Sequence, residues 1–176
     1  VIDDMPRTIA ELYGVAASAM VDRLDRKERE EVIQVAGERF VIGYARIALI
    51  HVAAGRYAVG KNGRRQVQLS RPFSMGEFAV TQRLYETVMR ANPASFRRRS
   101  GSARRPVEGV SWFEAVSFCN RLSERCGLAP AYRIQGDQVS CDFKAPGFRL
   151  PTEHEWEVAA RAGADFRYSG SDALDS

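Results

Sequence analysis

The residues in this sequence with the clearest chemical potential are three cysteines and two histidines. Cys119 and Cys126 stand about two turns apart on one predicted helix, a separation of roughly 10 Å along its axis. A thiolate metal site needs two converging soft ligands, so this pair is too far apart to bind one metal ion directly. Cys119 also falls on the apolar stripe of that helix, and we interpret it as a core residue.

The remaining candidates belong to no catalytic motif. Cys141 and His51 fall in strand patterns, and His154 precedes Glu155 without forming an HExxH metalloprotease motif. We interpret both histidines as structural or exposed residues rather than as ligands. No Ser/His/Asp set, phosphate loop or paired-carboxylate spacing stands out. We therefore predict no catalytic, cofactor-binding or metal-binding residue in this chain.

A second chemical feature is a basic run that contains no acidic residue. Its five arginines are Arg97, Arg98, Arg99, Arg104 and Arg105. Serine, glycine and alanine separate the two groups of arginines, a composition typical of a solvated surface loop. The functional alternative is a patch that binds phosphate groups or an acidic partner. Because aromatic residues are not interleaved with the arginines, nucleic-acid binding is not expected.

Length and composition restrict the class of protein. The chain has 176 residues, 45% of them hydrophobic and 27% charged, with a net charge of +4, which is ordinary globular composition. Its longest apolar segment, residues 40–59, is interrupted by glycine and charged residues, so we expect no membrane span. Acidic residues near the N-terminus argue against a signal peptide. Together with an odd number of cysteines, this predicts a soluble protein of the cytoplasm.

The first 45 residues are predicted to be helical. Thr8 and Glu11 have the spacing of a capping box, and apolar residues then recur at helical intervals up to residue 20. A charged segment at 22–31 separates this helix from a second predicted helical stretch at 32–40. The two stretches together predict an αα-hairpin or one long helix.

After residue 45 the pattern changes to short strands and three helices. Strands are predicted at Ala48–Val52, Arg56–Val59, Gln66–Ser70, Met75–Val80, Ala131–Ile134, Val139–Phe143 and Phe148–Leu150. The helices begin near Thr81, Ser111 and Thr152, the last two with capping boxes. We expect Phe118 and Trp156 to be buried around a common centre. Because the elements show no βαβ alternation, the order indicates an α+β fold with much irregular loop.

Five segments, in this order, resemble the formylglycine-generating enzyme (sulfatase-modifying factor) family. They are LIHVAAGRYAVG at 49–60, VQLSRPFSMGEFAVT at 67–81, YETVMRANPASF at 85–96, PVEGVSWFEAVSFCN at 106–120 and FRLPTEHEWEVAARAG at 148–163. The last segment is the most specific. The resemblance implies a C-type-lectin-like domain over residues 46–176, preceded by the helical segment at 1–45.

The resemblance does not decide activity. Members of the family include copper-dependent oxidases that convert cysteine into formylglycine, sulfoxide synthases and non-catalytic ligand-binding proteins. In the family the redox-active cysteine pair lies toward the C-terminal end of the domain, beyond the part matched by this sequence. We therefore expect the domain to be incomplete at its C-terminal end and to be completed by a protein partner or a second chain. No cofactor is expected in this chain, although copper or calcium is possible in the family.

Three functions follow as hypotheses. The sequence favours a non-catalytic ligand- or protein-binding module, such as the sensor part of a larger defence or signalling protein or a retroelement-diversified protein. The alternative is an oxidase of the formylglycine-generating or sulfoxide-synthase type whose active-site half is missing from this chain. The third is an interaction fragment in which the N-terminal helices dock another chain. Neither a nucleic acid nor a membrane is expected as the partner.

Overall fold

A computed structural model of the chain describes residues 47–60 and 63–161, together with the backbone of two strands before them. The strands are β1 Val32–Val35, β2 Glu38–Val41, β3 Leu49–Val52, β4 Gly55–Val59, β5 Arg65–Leu69, β6 Phe73–Gly76, β7 Tyr132–Gln135 and β8 Gln138–Cys141. The helices are α1 Gln82–Met89, α2 Trp112–Arg125 and α3 Glu153–Arg161. The described strands form antiparallel pairs β1–β2, β3–β6, β4–β5 and β7–β8. This mixture of helices and short sheets confirms the predicted α+β class.

The described residues fall into two compact units. Unit 1 contains β1, β2, residues 47–48 and residues 78–150, and unit 2 contains residues 49–77, apart from 61–62, and residues 151–161. None of the described helices is long and apolar enough to cross a bilayer.

The segment at 32–41 differs from the predicted helix. It forms the antiparallel strand pair β1–β2, in which Val35 lies opposite Glu38. Val32, Ile33 and Val35 are branched at Cβ, which restricts their rotamers in a helix and favours a strand. The local chemistry therefore fits the observed strand pair better than a helix. The predicted helix after Thr8 lies outside the described residues.

Unit 1 is organised around α1 and α2. The Thr81 side chain caps α1, and Ser111 with Glu114 forms the predicted capping box on α2. Hydrogen bonds from Ser111 hold the pKa of the Glu114 carboxyl below its usual value. The buried core comprises Leu84, Tyr85, Val88, Val107, Val110, Ala115, Phe118, Cys119, Leu122 and Cys126. The rings of Tyr85 and Phe118 stack in it with 5.4 Å between centroids.

The β7–β8 hairpin is attached to α2 by one side-chain amide. Asn120 donates from Nδ2 to the Tyr132 carbonyl at 2.8 Å and accepts from the Tyr132 N–H at 3.1 Å. A turn at Gly136 joins the two strands, and its φ of +59° lies in the left-handed region that glycine tolerates best. The hairpin is therefore fixed to the helix at its first residue.

Two predicted strands differ from the observed structure. The strand predicted at 75–80 ends at Gly76, and the Val80 carbonyl instead accepts from the Val107 N–H at 2.9 Å. The strand predicted at 148–150 does not form. Its backbone N–H groups at 148 and 150 donate to the side-chain oxygens of Ser123 and Tyr132, at 2.7 and 3.0 Å. Because side chains satisfy these donors, the segment needs no neighbouring strand.

In unit 2, Gly60 connects the β4–β5 hairpin to α3. Its N–H donates to Glu157 Oε1 at 2.6 Å, and its carbonyl accepts from Arg161 Nη2 at 2.6 Å. Glu157 and Arg161 are also paired with each other at 3.0 Å. Gly60 has a φ of +77°, which favours glycine at this corner. The EWEVAAR part of the family-like segment therefore has a structural role in holding the hairpin.

The expected common burial of Phe118 and Trp156 is only half correct. Phe118 is 3% exposed, as predicted, whereas Trp156 is only partly buried. In α3 the buried residue is Val158, which packs with Val59 and Leu69 in a separate cluster. Positions 156 and 158 are about 200° apart around a helix, so the face that buries Val158 turns Trp156 away from that cluster.

Candidate functional site

The candidate site lies in the connection between α1 and α2, and we name its residues 92–105 the arginine loop. All five arginines of the predicted patch lie on it, and their side chains are exposed. This confirms the predicted solvated surface loop. The loop contains no acidic residue, so it carries a local excess of positive charge.

Gln82 joins the two ends of the arginine loop. Its side chain is 1% exposed, with Oε1 accepting from Asn92 Nδ2 at 3.3 Å and Nε2 donating to the Pro106 carbonyl at 3.5 Å. Its backbone N–H donates to the Arg105 carbonyl at 2.8 Å. A buried amide is costly unless it is hydrogen-bonded. These contacts therefore hold the start and the end of the loop together.

Side-chain to backbone hydrogen bonds also fix the path of the loop. Asn92 Oδ1 accepts from the Ala94 N–H at 3.0 Å, and the Asn92 carbonyl accepts from the Arg97 guanidinium at 2.9 Å. The Ser102 hydroxyl donates to the Arg97 carbonyl at 2.8 Å. A short 3-10 helix at Ser102–Arg104 completes the turn. The backbone of the loop is thus organised before any partner binds.

Phe96 presents an apolar ring among the arginines. Its side chain is 50% exposed, and the Arg99 guanidinium lies 5.2 Å from the centre of the ring. Its backbone N–H donates to Glu108 Oε1 at 3.1 Å. No sequence motif predicted Phe96, Gln82 or Glu108 as parts of a site. A large apolar residue beside three arginines, outside any apolar stripe, is the signal that could have identified Phe96.

Carboxylates do not neutralise the whole of this charge. Arg98 and Arg105 make no ion pair with any residue that the structure describes. Arg97 is hydrogen-bonded to a carbonyl group and Arg99 lies over the ring of Phe96. A guanidinium group can bind a carboxylate or phosphate through two parallel hydrogen bonds. The loop can therefore bind an anionic group without first losing an internal ion pair at Arg98 or Arg105.

The cysteines are placed for packing. Cys119 and Cys126 are buried in the core of unit 1, which confirms the interpretation of Cys119 as a core residue. Burial raises the pKa of the Cys119 thiol to about 12 and that of Cys126 to about 11. Both thiols are therefore protonated at neutral pH. Because the thiolate is the nucleophilic form of cysteine, neither side chain is a strong nucleophile. Cys141 is partly buried on β8, opposite Tyr132.

The histidines belong to unit 2, whereas the arginine loop belongs to unit 1. His51 is exposed on β3, as predicted, and His154 is partly buried on α3. The His154 Nδ1 atom is buried and has no hydrogen-bond partner among the described residues. Within residues 47–60 and 63–161, no three His, Cys, Asp or Glu side chains are grouped so that they could hold a metal ion.

Replacing Gln82 by Met should loosen the arginine loop, because methionine keeps the side-chain length but loses both side-chain hydrogen bonds. We expect amide hydrogen exchange at 94–105 to rise by about tenfold, which corresponds to roughly 1.4 kcal/mol of opening free energy. Gln68→Met is the control, because Gln68 is exposed on β5 and bonds to Arg56. Unchanged exchange in the loop of Gln82→Met would show that Gln82 does not hold it.

Comparison with known proteins adds independent information. A family model described as the sulfatase-modifying factor enzyme 1-like domain matches residues 18–176. The matched range begins before the predicted domain boundary at 46. The chain is also 35% identical over 147 residues to the chaperone protein LppX of Paenibacillus barcinonensis, a match that covers 72% of this chain and 51% of LppX. The chain thus spans about half the length of this curated relative.

Two solved structures share the fold. Treponema denticola variable protein 1 is 31% identical with a TM-score of 0.69, over 76% of this chain and 59% of that protein. The crystal structure of CarF is 28% identical with a TM-score of 0.61, over 72% of this chain and 64% of CarF. These similarities confirm the fold that the sequence predicted.

Proposed function

The chain belongs to the sulfatase-modifying factor enzyme 1-like domain family, and from this premise we propose that it is a non-catalytic module that binds a protein partner through the arginine loop. The observation that carries the proposal is the closure of the loop by Gln82, which leaves the charged side chains exposed on a fixed backbone. Binding residues are often placed on loops held by a rigid scaffold. A loop that is already ordered loses less conformational entropy when it binds.

The relatives support a binding role. LppX is named a chaperone protein, and a protein partner for this chain is consistent with that name. Treponema denticola variable protein 1 is named for variability, a property that suits a recognition protein. The buried, protonated thiols of Cys119 and Cys126 also support packing rather than thiol chemistry in this part of the chain.

Photo-crosslinking in cells that naturally produce the protein tests the proposal. With Phe96 replaced by p-benzoylphenylalanine, we expect a discrete crosslinked protein, because the ring at this position is half exposed within the contact surface. Adding Arg98→Glu and Arg105→Glu should remove the crosslink, since repulsion replaces attraction across the contact.

The matched control carries Arg71→Glu and Arg133→Glu, two exposed arginines outside the loop. Each double variant lowers the net charge from +4 to 0, because each substitution changes the charge by two units. The control should retain the crosslink. A crosslink that survives reversal of Arg98 and Arg105, or the absence of any crosslinked protein, would contradict binding through the arginine loop.

A further inference from the structure

We infer that the arginine loop recognises an acidic protein segment that carries an aromatic or large aliphatic side chain among its carboxylates. This inference rests on the proposed function, because it specifies the partner of the same loop. Charge selects the acidic residues of the partner, and the exposed ring of Phe96 selects the apolar one. The two requirements come from different side chains and can be tested separately.

The charge requirement follows from the composition and order of the loop. No Asp or Glu lies within residues 92–105, and the side chains of Arg98 and Arg105 have no described carboxylate partner. The Arg105 N–H donates to the Ser102 carbonyl at 3.0 Å, while the Arg105 carbonyl accepts from the Gln82 N–H at 2.8 Å. With both its backbone groups bonded, Arg105 projects its guanidinium from a fixed point. A guanidinium group binds a carboxylate through paired hydrogen bonds.

The apolar requirement follows from Phe96. Half of the Phe96 ring is in contact with water. Covering this apolar surface with an apolar side chain of a partner is favourable. The Phe96 backbone N–H donates to the carboxylate of Glu108, the acidic residue that follows the loop in sequence. This carboxylate is therefore already hydrogen-bonded to the backbone of the loop. Because Arg99 lies over the ring at 5.2 Å, an apolar side chain of the partner would pack beside a cation. Aromatic residues and arginine in such positions frequently dominate interface energies.

A nucleic acid fits these features less well. Proteins that bind single strands usually present several aromatic rings along a basic groove, so that successive bases can stack. Phe96 is the one aromatic residue in the arginine loop, and Arg99 already lies over it. Gln82 draws the two ends of the loop together, which makes a compact surface rather than an extended track. The observations therefore favour an acidic polypeptide.

Fluorescence polarisation with labelled peptides tests the inference on the full chain. The probe is a short peptide of glutamate and aspartate with one central tryptophan. We expect Arg98→Glu with Arg105→Glu to weaken its binding by about tenfold or more, and Phe96→Ala by about fivefold. Rising salt should weaken binding further, because exposed charges are screened.

The chain offers a matched control for Phe96. Phe143 is 56% exposed and lies under the Arg149 guanidinium at 4.9 Å, so Phe143→Ala removes a similar ring from another place. We expect Phe143→Ala to bind the peptide like wild type. Arg98→Lys with Arg105→Lys keeps the charge but removes the paired hydrogen bonds, so its affinity should lie between wild type and the charge reversal.

Three results would overturn the inference. One is equal peptide affinity of wild type and the Arg98→Glu, Arg105→Glu variant. Another is equal binding of peptides with tryptophan and with serine at the centre. The third is tighter binding of an oligothymidylate of the same charge than of the acidic peptide. The acidic peptides could also show no binding while crosslinking from position 96 still depends on Arg98 and Arg105. The loop then binds a protein of different chemistry, and only the present inference is wrong.

Discussion

Replacing Gly147 by Ala is expected to destabilise the protein by about 3 kcal/mol, the upper end of the usual cost of overpacking. A Cβ atom at this position would overlap the Ala129 carbonyl oxygen and would lie 2.8 Å from Ser123 Oγ and 3.1 Å from the Ala131 nitrogen. Two of these neighbours are backbone atoms, which cannot turn away as a flexible side chain can. The close approach of two chain segments therefore requires glycine here.

Ser123 cannot move to relieve this overlap without losing its own contacts. Its side chain is completely buried, its hydroxyl donates to the Cys119 carbonyl at 2.8 Å, and the same oxygen accepts from the Phe148 N–H at 2.7 Å. Moving it would leave buried polar groups without partners, which adds to the cost. The segment after Gly147 is thus tied to α2 by the same oxygen that the new methyl group would displace.

Urea unfolding of Gly147→Ala measures the effect. Gly55→Ala is the control, because a Cβ at Gly55 would meet only side-chain atoms of Tyr57, at 3.5 Å or more. We expect the control to unfold within about 1 kcal/mol of wild type. Equal unfolding free energies of Gly147→Ala and Gly55→Ala would contradict the close packing of residues 129–131 against Gly147.

Truncating Phe118 to Ala is expected to cost about 3–5 kcal/mol, as for other large aromatic side chains removed from a core. Phe118 is 3% exposed, and its ring stacks on Tyr85, so the truncation removes buried apolar surface and leaves a cavity between α1 and α2. Burial is also the main reason that the pKa of Tyr85 is raised. The two rings therefore contribute to the contact between α1 and α2, the helices that precede and follow the arginine loop in sequence.

The same helix supplies the control for this experiment. Phe113 is 48% exposed and packs edge-on against Trp112, so Phe113→Ala should cost about 1 kcal/mol or less. Chemical unfolding monitored by circular dichroism compares the two variants at identical conditions. Equal losses of unfolding free energy for Phe118→Ala and Phe113→Ala would contradict the assignment of Phe118 to the core.

Predictions that depended on near neighbours in sequence agreed with the structure. The capping boxes of Ser111 with Glu114 and of Thr152 with Glu155 both form. Strands β4, β5, β7 and β8 also overlap the strands predicted at 56–59, 66–70, 131–134 and 139–143, and they pair with their neighbours in sequence. These features join residues a few positions apart, so the residue types alone define the partners.

Errors arose where two local patterns fitted the same residues or where a distant group changed the outcome. Apolar residues at 32–41 fit helical spacing, but the Cβ-branched residues among them favour a strand, and the strand pair formed. The segment at 148–150 has strand-like composition, but its N–H groups bond to side chains contributed by α2 and β7. Trp156 has the size of a core residue, yet the orientation of α3 buries Val158 instead.

For the candidate site, the sequence by itself determined the charge, the exposure expected of a Ser/Gly-rich arginine run and the family that its ordered segments resemble. Only the tertiary structure decided that Gln82 closes the loop. That role depends on hydrogen bonds to residues 10 and 24 positions away, whose distance in space is set by the path of the whole chain between them. The same reason applies to Phe96 and Glu108, which are 12 positions apart. Residue type defines what a side chain can bind, whereas packing over long separations decides which groups it meets.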